Sequence, residues 1–185
     1  MPDQRHALPL LGALAVAAAG CQGGAGKADQ RAQTYLERGR VHLEQQAYPQ
    51  AIAAFTQAIE RDPELARAYN ERGVARAQLE RYRPALADYN RAIALDAEVG
   101  RAYYNRAIAR TQLENYESAV ADFTRAIERQ PEFAPAYANR GGAYLQLGQP
   151  KAALRDFQQA AQLFEQQDNP RGYRRMRNAI RSVAP

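Results

Sequence analysis

The chain has 185 residues, a formal net charge of +5 and a single cysteine, so no disulfide can form within it. The charge is uneven: residues 32–167 hold 17 Lys/Arg against 17 Asp/Glu, and the excess lies in 168–185, with five arginines and one aspartate. A nucleic-acid interface needs a basic stripe along its binding face, and this distribution does not provide one.

Residues 1–20 have the pattern of an export signal. Arg5 and His6 precede an apolar run from Leu8 to Ala19, too short for a comfortable membrane span. The run ends Ala18-Ala19-Gly20-Cys21, which resembles the bacterial lipobox, although Ala18 stands where Leu is usual. That resemblance implies lipidation of Cys21, a palmitate-bearing lipoprotein, and a stable anchor once two or more acyl chains are attached. Cleavage after Ala19 to a soluble periplasmic protein and an uncleaved anchor are the alternatives. Gln22 in place of Asp resembles lipoproteins sent to the outer membrane, and implies a place on its periplasmic face. Residues 21–31, rich in Gly and small residues, have linker composition.

From residue 32 the chain repeats every 34 residues, in copies spanning 32–65, 66–99, 100–133 and 134–167. Position 4 is Tyr35, Tyr69, Tyr103 and Tyr137; position 8 is Gly39, Gly73, Ala107 and Gly141. Position 20 is Ala51, Ala85, Ala119 and Ala153, and position 24 is Phe55, Tyr89, Phe123 and Phe157. Position 27 is Ala58, Ala92, Ala126 and Ala160. Ala85, Tyr89 and Ala92 share one helix face, and the small residues let a second helix approach closely. Pro63 and Pro131 punctuate the joints between copies, and Pro49 and Pro84 fall in the first turn of second helices.

This pattern resembles the tetratricopeptide repeat family, whose period is about 34 residues. The resemblance implies an all-α fold: an α-solenoid of four helix-turn-helix units in a right-handed superhelix. Position 7 departs from the family pattern, with Arg38, Arg72, Arg106 and Arg140 in place of Leu. Position 23 carries Asp88, Asp122 and Asp156, but Ala54 in the first copy. Arg–Asp pairing between helices, within a repeat or to the next, is the expectation.

Residues 168–185 open Asp168-Asn169-Pro170, a helix-start signal. Tyr173, Met176, Ile180 and Val183 then form one apolar stripe among arginines. Such a helix closes the open end of a repeat stack. Its exposed arginines suit an anionic surface or an acidic partner.

No residue pattern points to catalysis. His6 lies in the signal and His42 occupies a repeat position, so no Ser/His/Asp set is available. No His/Cys spacing suits a metal, and the Gly-rich 20–26 lacks the Lys-Ser/Thr of a phosphate loop. No cofactor is expected, and the chain reads as a binding protein.

The family resemblance implies that first helices line a concave groove through positions 2, 5, 9, 12 and 13. The candidates are Leu36 and Arg40; Arg67, Asn70, Val74 and Gln78; Arg101, Tyr104, Ile108 and Gln112; and Gly142, Leu145 and Gln146. Amides there can pair with an extended peptide, and arginines can fork onto a carboxylate. Some family members grip a terminal carboxylate with a fixed Lys/Asn/Arg set. The corresponding residues here are Leu36, Arg40, Glu71, Arg101 and Asn105, of which only Arg101 matches, so that mode is not expected. The resulting expectation is a membrane-anchored cell-envelope scaffold that binds a protein or peptide. The alternative is a self-associating structural solenoid.

Overall fold

The computed structural model describes residues 22–96 and 100–183, and the side chains of 30–96 and 100–183. Residues 1–20, read above as an export signal, and Cys21 lie outside the described residues. Nine helices and no strands occur among the described residues: α1 (Gln22–Glu44), α2 (Tyr48–Arg61), α3 (Ala66–Gln78), α4 (Tyr82–Leu95), α5 (Gly100–Gln112), α6 (Tyr116–Arg129), α7 (Ala134–Gln146), α8 (Pro150–Gln166) and α9 (Pro170–Val183).

Each 34-residue copy is one antiparallel helix pair, and successive pairs stack. The aromatic residue of the second helix is what holds each pair together. Phe55, Tyr89 and Phe123 are essentially buried, and Phe157 nearly so. Their rings press on the small residue at position 8: a Cβ on Gly73 would lie 2.6 Å from the Tyr89 ring. Such a ring buries roughly 150–250 Å² and dominates the energetics of its layer.

The turn inside each pair is the same closed motif. Glu80 has φ 58°, its N–H donates to Ala77 O at 2.9 Å, and the Arg81 N–H donates to Arg76 O at 2.9 Å. These bonds satisfy the last carbonyls of the helix. Gln46, Glu114 and Gly148 hold the same place with φ 59°, 60° and 68°. Between pairs, α2 and α4 end in an extended aspartate, Asp62 or Asp96, where Pro63 or Ala97 follows. After α8 the joint differs. Glu165 replaces the joint proline, the helix runs on to Gln166, and Asp168 (φ 49°) closes it with the intra-pair type of turn. Consequently α9 folds back on α8 as a hairpin partner. Met176 is buried there, with Tyr173, Ile180 and Val183 packed beside it, as the apolar stripe predicts.

The arginine ladder is present. Arg72 Nη2 donates to Asp88 Oδ1 at 2.8 Å, Arg106 Nη2 to Asp122 Oδ1 at 2.6 Å, and Arg140 Nε to Asp156 Oδ2 at 2.8 Å. All three pairs lie within a repeat. Each arginine also reaches the preceding repeat: Arg72 to Thr56 Oγ1 at 3.1 Å, Arg106 to Asn90 Oδ1 at 2.7 Å, and Arg140 to Thr124 Oγ1 at 2.9 Å. One side chain therefore sets register both inside and between units. Arg38, facing Ala54, has no such pair and is exposed, with its guanidinium 5.7 Å from the Tyr35 ring centre.

One expectation fails. Residues 22–31 read as linker, yet α1 begins at Gln22. Once the packed part of a helix is formed, each added residue gains a hydrogen bond without a new nucleation cost. The run Lys27-Ala28-Asp29-Gln30-Arg31 contains good helix formers and no proline, so composition alone misjudged it.

Candidate binding groove

First helices touch first helices along the stack: α1 meets α3, α3 meets α5, and α5 meets α7, while second helices make no contact of that extent among the described residues. The stack therefore curves with its first helices on the inner face. Their side chains fall into distinct groups along it.

At the N-terminal half, Arg40, Arg67 and Arg101 are exposed around a cavity of about 780 Å³. Glu71 stands among them. Burial raises its pKa above the ordinary glutamate value, while Arg40, Arg101, Arg67 and a hydrogen bond with Asn70 pull it back only in part. The cause lies one repeat away. At the same position in the next two copies, Asn105 Nδ2 donates to Asn70 Oδ1 at 3.0 Å, and Asn139 Nδ2 donates to Tyr104 Oη at 2.9 Å. The residue opposite Glu71 in this series is Leu36, which offers no polar atom, so the carboxylate is desolvated and faces the arginines.

These rungs revise the reading of three groove candidates. Leu36 is fully buried in the core and forms floor, not rim. Asn70 is 5% exposed and spends its carbonyl oxygen on Asn105, so it is no free amide for a partner. Tyr104 is half-buried, with its ring 4.9 Å edge-on from Phe133 and 5.8 Å from Phe123, and its hydroxyl is bonded to Asn139. Burial pushes its pKa up, partly offset by Asn139 and Arg175.

Further along, Ile108, Gln112, Gly142 and Gln146 line a cavity of about 410 Å³ with Thr111, Tyr116 and Asn139. Gln78 and Leu145 are exposed, whereas Val74 is half-buried against the Tyr89 layer. At the C-terminal end, where α9 meets α7, a third hollow of about 450 Å³ includes Tyr104, Asn139, Phe164, Arg171 and Arg175. Sequence reasoning missed Glu71, Asn139, Phe164, Arg171 and Arg175 as groove residues. The legible signal for Glu71 was a carboxylate at the position that holds an amide in the next two copies, opposite an apolar residue. For Arg171 and Arg175 the sequence offered the arginine-rich end helix suited to an acidic partner, but not their place beside the groove with Asn139 and Phe164, because the angle at which α9 returns is set by the turn at Asp168.

Among the described residues no cluster of three or more His, Cys, Asp or Glu side chains is arranged to hold a metal, and no helix is long and apolar enough to cross a membrane. The groove offers guanidinium groups, amides and apolar patches, which is chemistry for binding.

Three sequence profiles described as tetratricopeptide repeat match the chain, over residues 36–100, 100–133 and 134–167. A search of curated proteins gave no match. Among solved structures, the chain is similar to a crystal structure of MamA, with 26% identity, 77% of this chain and 84% of that chain covered, and a TM-score of 0.71. It is also similar to the first such domain of Spaghetti (RPAP3) bound to the HSP90 peptide SRMEEVD, with 28% identity, coverage of 65% and 95%, and a TM-score of 0.64. PilF of Pseudomonas aeruginosa shares the fold at 20% identity, with coverage of 86% and 79% and a TM-score of 0.67. With profile matches running from residue 36 to 167 over helix pairs in the same register, the chain belongs to the tetratricopeptide repeat family.

Proposed function

We propose that this protein is a membrane-anchored scaffold of the bacterial cell envelope that holds an extended segment of a protein partner along its inner face. The observation that carries the binding role is the set of exposed groups on the first helices: Arg40, Arg67 and Arg101 around one cavity, and Gln112 and Gln146 with the half-buried Ile108 around another. Guanidiniums supply forked contacts to carboxylates, amides pair with peptide backbone, and Ile108 adds apolar area. A similar domain solved with a bound peptide supports the same use of the fold. The anchor and the envelope location rest on the sequence of residues 1–21, with the sole cysteine at the end of an export-type apolar run.

Two experiments test the two halves. Immobilised protein should capture a partner identifiable by mass spectrometry, and the double variant Arg67→Gln/Arg101→Gln should lose it while keeping the helical circular dichroism spectrum of the folded chain. Capture indifferent to that variant would refute the groove. Metabolic labelling with a palmitate analogue should mark the wild type but not Cys21→Ser. An unlabelled wild type would reject the anchor.

A further inference from the structure

Helix α9 covers the end of the stack. Its five arginines, Arg171, Arg174, Arg175, Arg177 and Arg181, are all exposed, and none makes a salt bridge among the described residues. At 3.6 residues per turn they divide into two sets flanking the buried Met176 stripe. Arg174, Arg177 and Arg181 fall on one side. Arg174 Nε donates to Pro170 O at 3.3 Å, and Arg177 Nη1 donates to the Tyr173 hydroxyl at 3.4 Å. Arg171 and Arg175, four residues apart, fall on the other side and flank the 450 Å³ hollow against α5 and α7.

The walls of that hollow are Tyr104, Ala138 and Phe164, with the Asn139 amide already committed to the Tyr104 hydroxyl. Among the described residues no Asp or Glu lines it. Two cations therefore stand at the mouth of a largely apolar compartment without a counter-charge. The arrangement is complementary to an apolar side chain next to a carboxylate. A flat lipid surface does not enter a hollow walled by α5, α7, α8 and α9, and the neutral repeats beyond it offer no basic track for a nucleic acid.

We propose that this hollow is the C-terminal subsite of the groove and receives an acidic segment of the protein partner. A large apolar side chain enters between Tyr104 and Phe164, and the adjacent carboxylate is held by Arg171 and Arg175. The proposal rests on the groove reading above and adds the chemistry of the occupant. It also assigns part of partner recognition to the end helix, outside the repeats.

The test is fluorescence anisotropy of the full chain with a labelled peptide, Ser-Gly-Ser-Leu-Glu-Glu, against Ser-Gly-Ser-Leu-Gln-Gln amide. The acidic peptide should bind at least about tenfold more tightly, the ratio expected for one well-formed charged contact. Arg171→Gln/Arg175→Gln should remove about tenfold or more of that affinity, whereas Arg174→Gln/Arg177→Gln, with equal loss of charge, should change it less than about threefold. Equal losses in the two double variants overturn the proposal, since a general field would then explain the binding. Absence of saturable binding at about 1 mM acidic peptide overturns it as well. So does binding only to vesicles of phosphatidylglycerol and phosphatidylethanolamine. If Arg171→Gln/Arg175→Gln still captures the partner that Arg67→Gln/Arg101→Gln loses, the subsite falls and the groove stands. If neither variant affects capture, both fall.

Discussion

Arg140 and Asp156 form a two-pronged ion pair across α7 and α8, with Nε at 2.8 Å from Oδ2 and Nη2 at 2.9 Å from Oδ1. Among the described residues no second arginine supports this aspartate. Asp88 differs, because Arg76 Nη1 also donates to it at 2.7 Å. Removing one partner of a buried pair costs about 3–5 kcal/mol because the remaining charge is left uncompensated. Arg140→Met should therefore lower stability by an amount near that range. Arg72→Met should cost at least about 1 kcal/mol less, since Asp88 keeps a cation. Arg38→Ala, at a site with no aspartate, should be close to neutral. Urea denaturation midpoints of the three variants check the order.

Two adjacent glycines in α7 should respond in opposite directions. A Cβ on Gly141 would lie 2.6 Å from the Phe157 ring, whereas one on Gly142 would meet nothing within 4 Å. Gly141→Ala should overpack the layer and cost about 1–3 kcal/mol. The lower end is the better guide, because Ala107 holds this position in the third copy and is accommodated there. Gly142→Ala should stabilise by up to about 1 kcal/mol through helix propensity. Thermal melts followed by circular dichroism would show the two shifts.

The intra-pair turns give a third prediction. Glu80 and Glu114 adopt φ 58° and 60°, in the left-handed region that costs an L-residue about 1–2 kcal/mol. Glycine already occupies this place in the fourth copy as Gly148 (φ 68°). Glu80→Gly and Glu114→Gly should each raise stability by about 0.5–1 kcal/mol after the larger unfolded-state entropy of glycine is counted. Denaturation midpoints unchanged or lowered in both variants would contradict this.

Glu71 should make stability depend on pH. Its folded-state pKa is raised above the ordinary 4.5, first by burial. A carboxyl shifted in that direction binds its proton more tightly when folded, so its contribution is most favourable below the ordinary value. That contribution is lost as pH rises through the interval up to the folded value. Glu71→Gln should therefore be more stable than the wild type at pH 7, with the gap closing as pH falls below 4.5. Melting temperatures of both chains from pH 4 to pH 7 measure it, and a gap that does not change with pH would contradict the assignment.

The groove was legible in outline but not in detail. Recurrence at positions 4, 8, 20, 24 and 27 identifies the packing faces, and the family resemblance implies which first-helix residues line the inner surface. It does not reveal that Asn70 is committed to Asn105, or that Leu36 lies beneath the rim, because both facts depend on which residue of the next copy lies opposite. The Arg–Asp pairs were readable because both members recur with the period. The further bonds to Thr56, Asn90 and Thr124 were not, since those partners belong to the preceding unit and differ in kind.

Periodicity carries the number of units, the helix pairs within them and the arginine ladder, because a repeated structure must present the same residue to the same neighbour in every copy; the end helix is legible from its own apolar stripe. Stacking settles the rest: the surroundings of Glu71, the hydroxyl of Tyr104 bound to Asn139, and the seat of α9. That last feature follows from a helix allowed to continue where earlier copies have Pro63 and Pro131, and from one left-handed residue, Asp168, that turns the chain back. A few residues at a joint, with no periodic partner to reveal their effect, thereby aim Arg171 and Arg175 at the end of the groove.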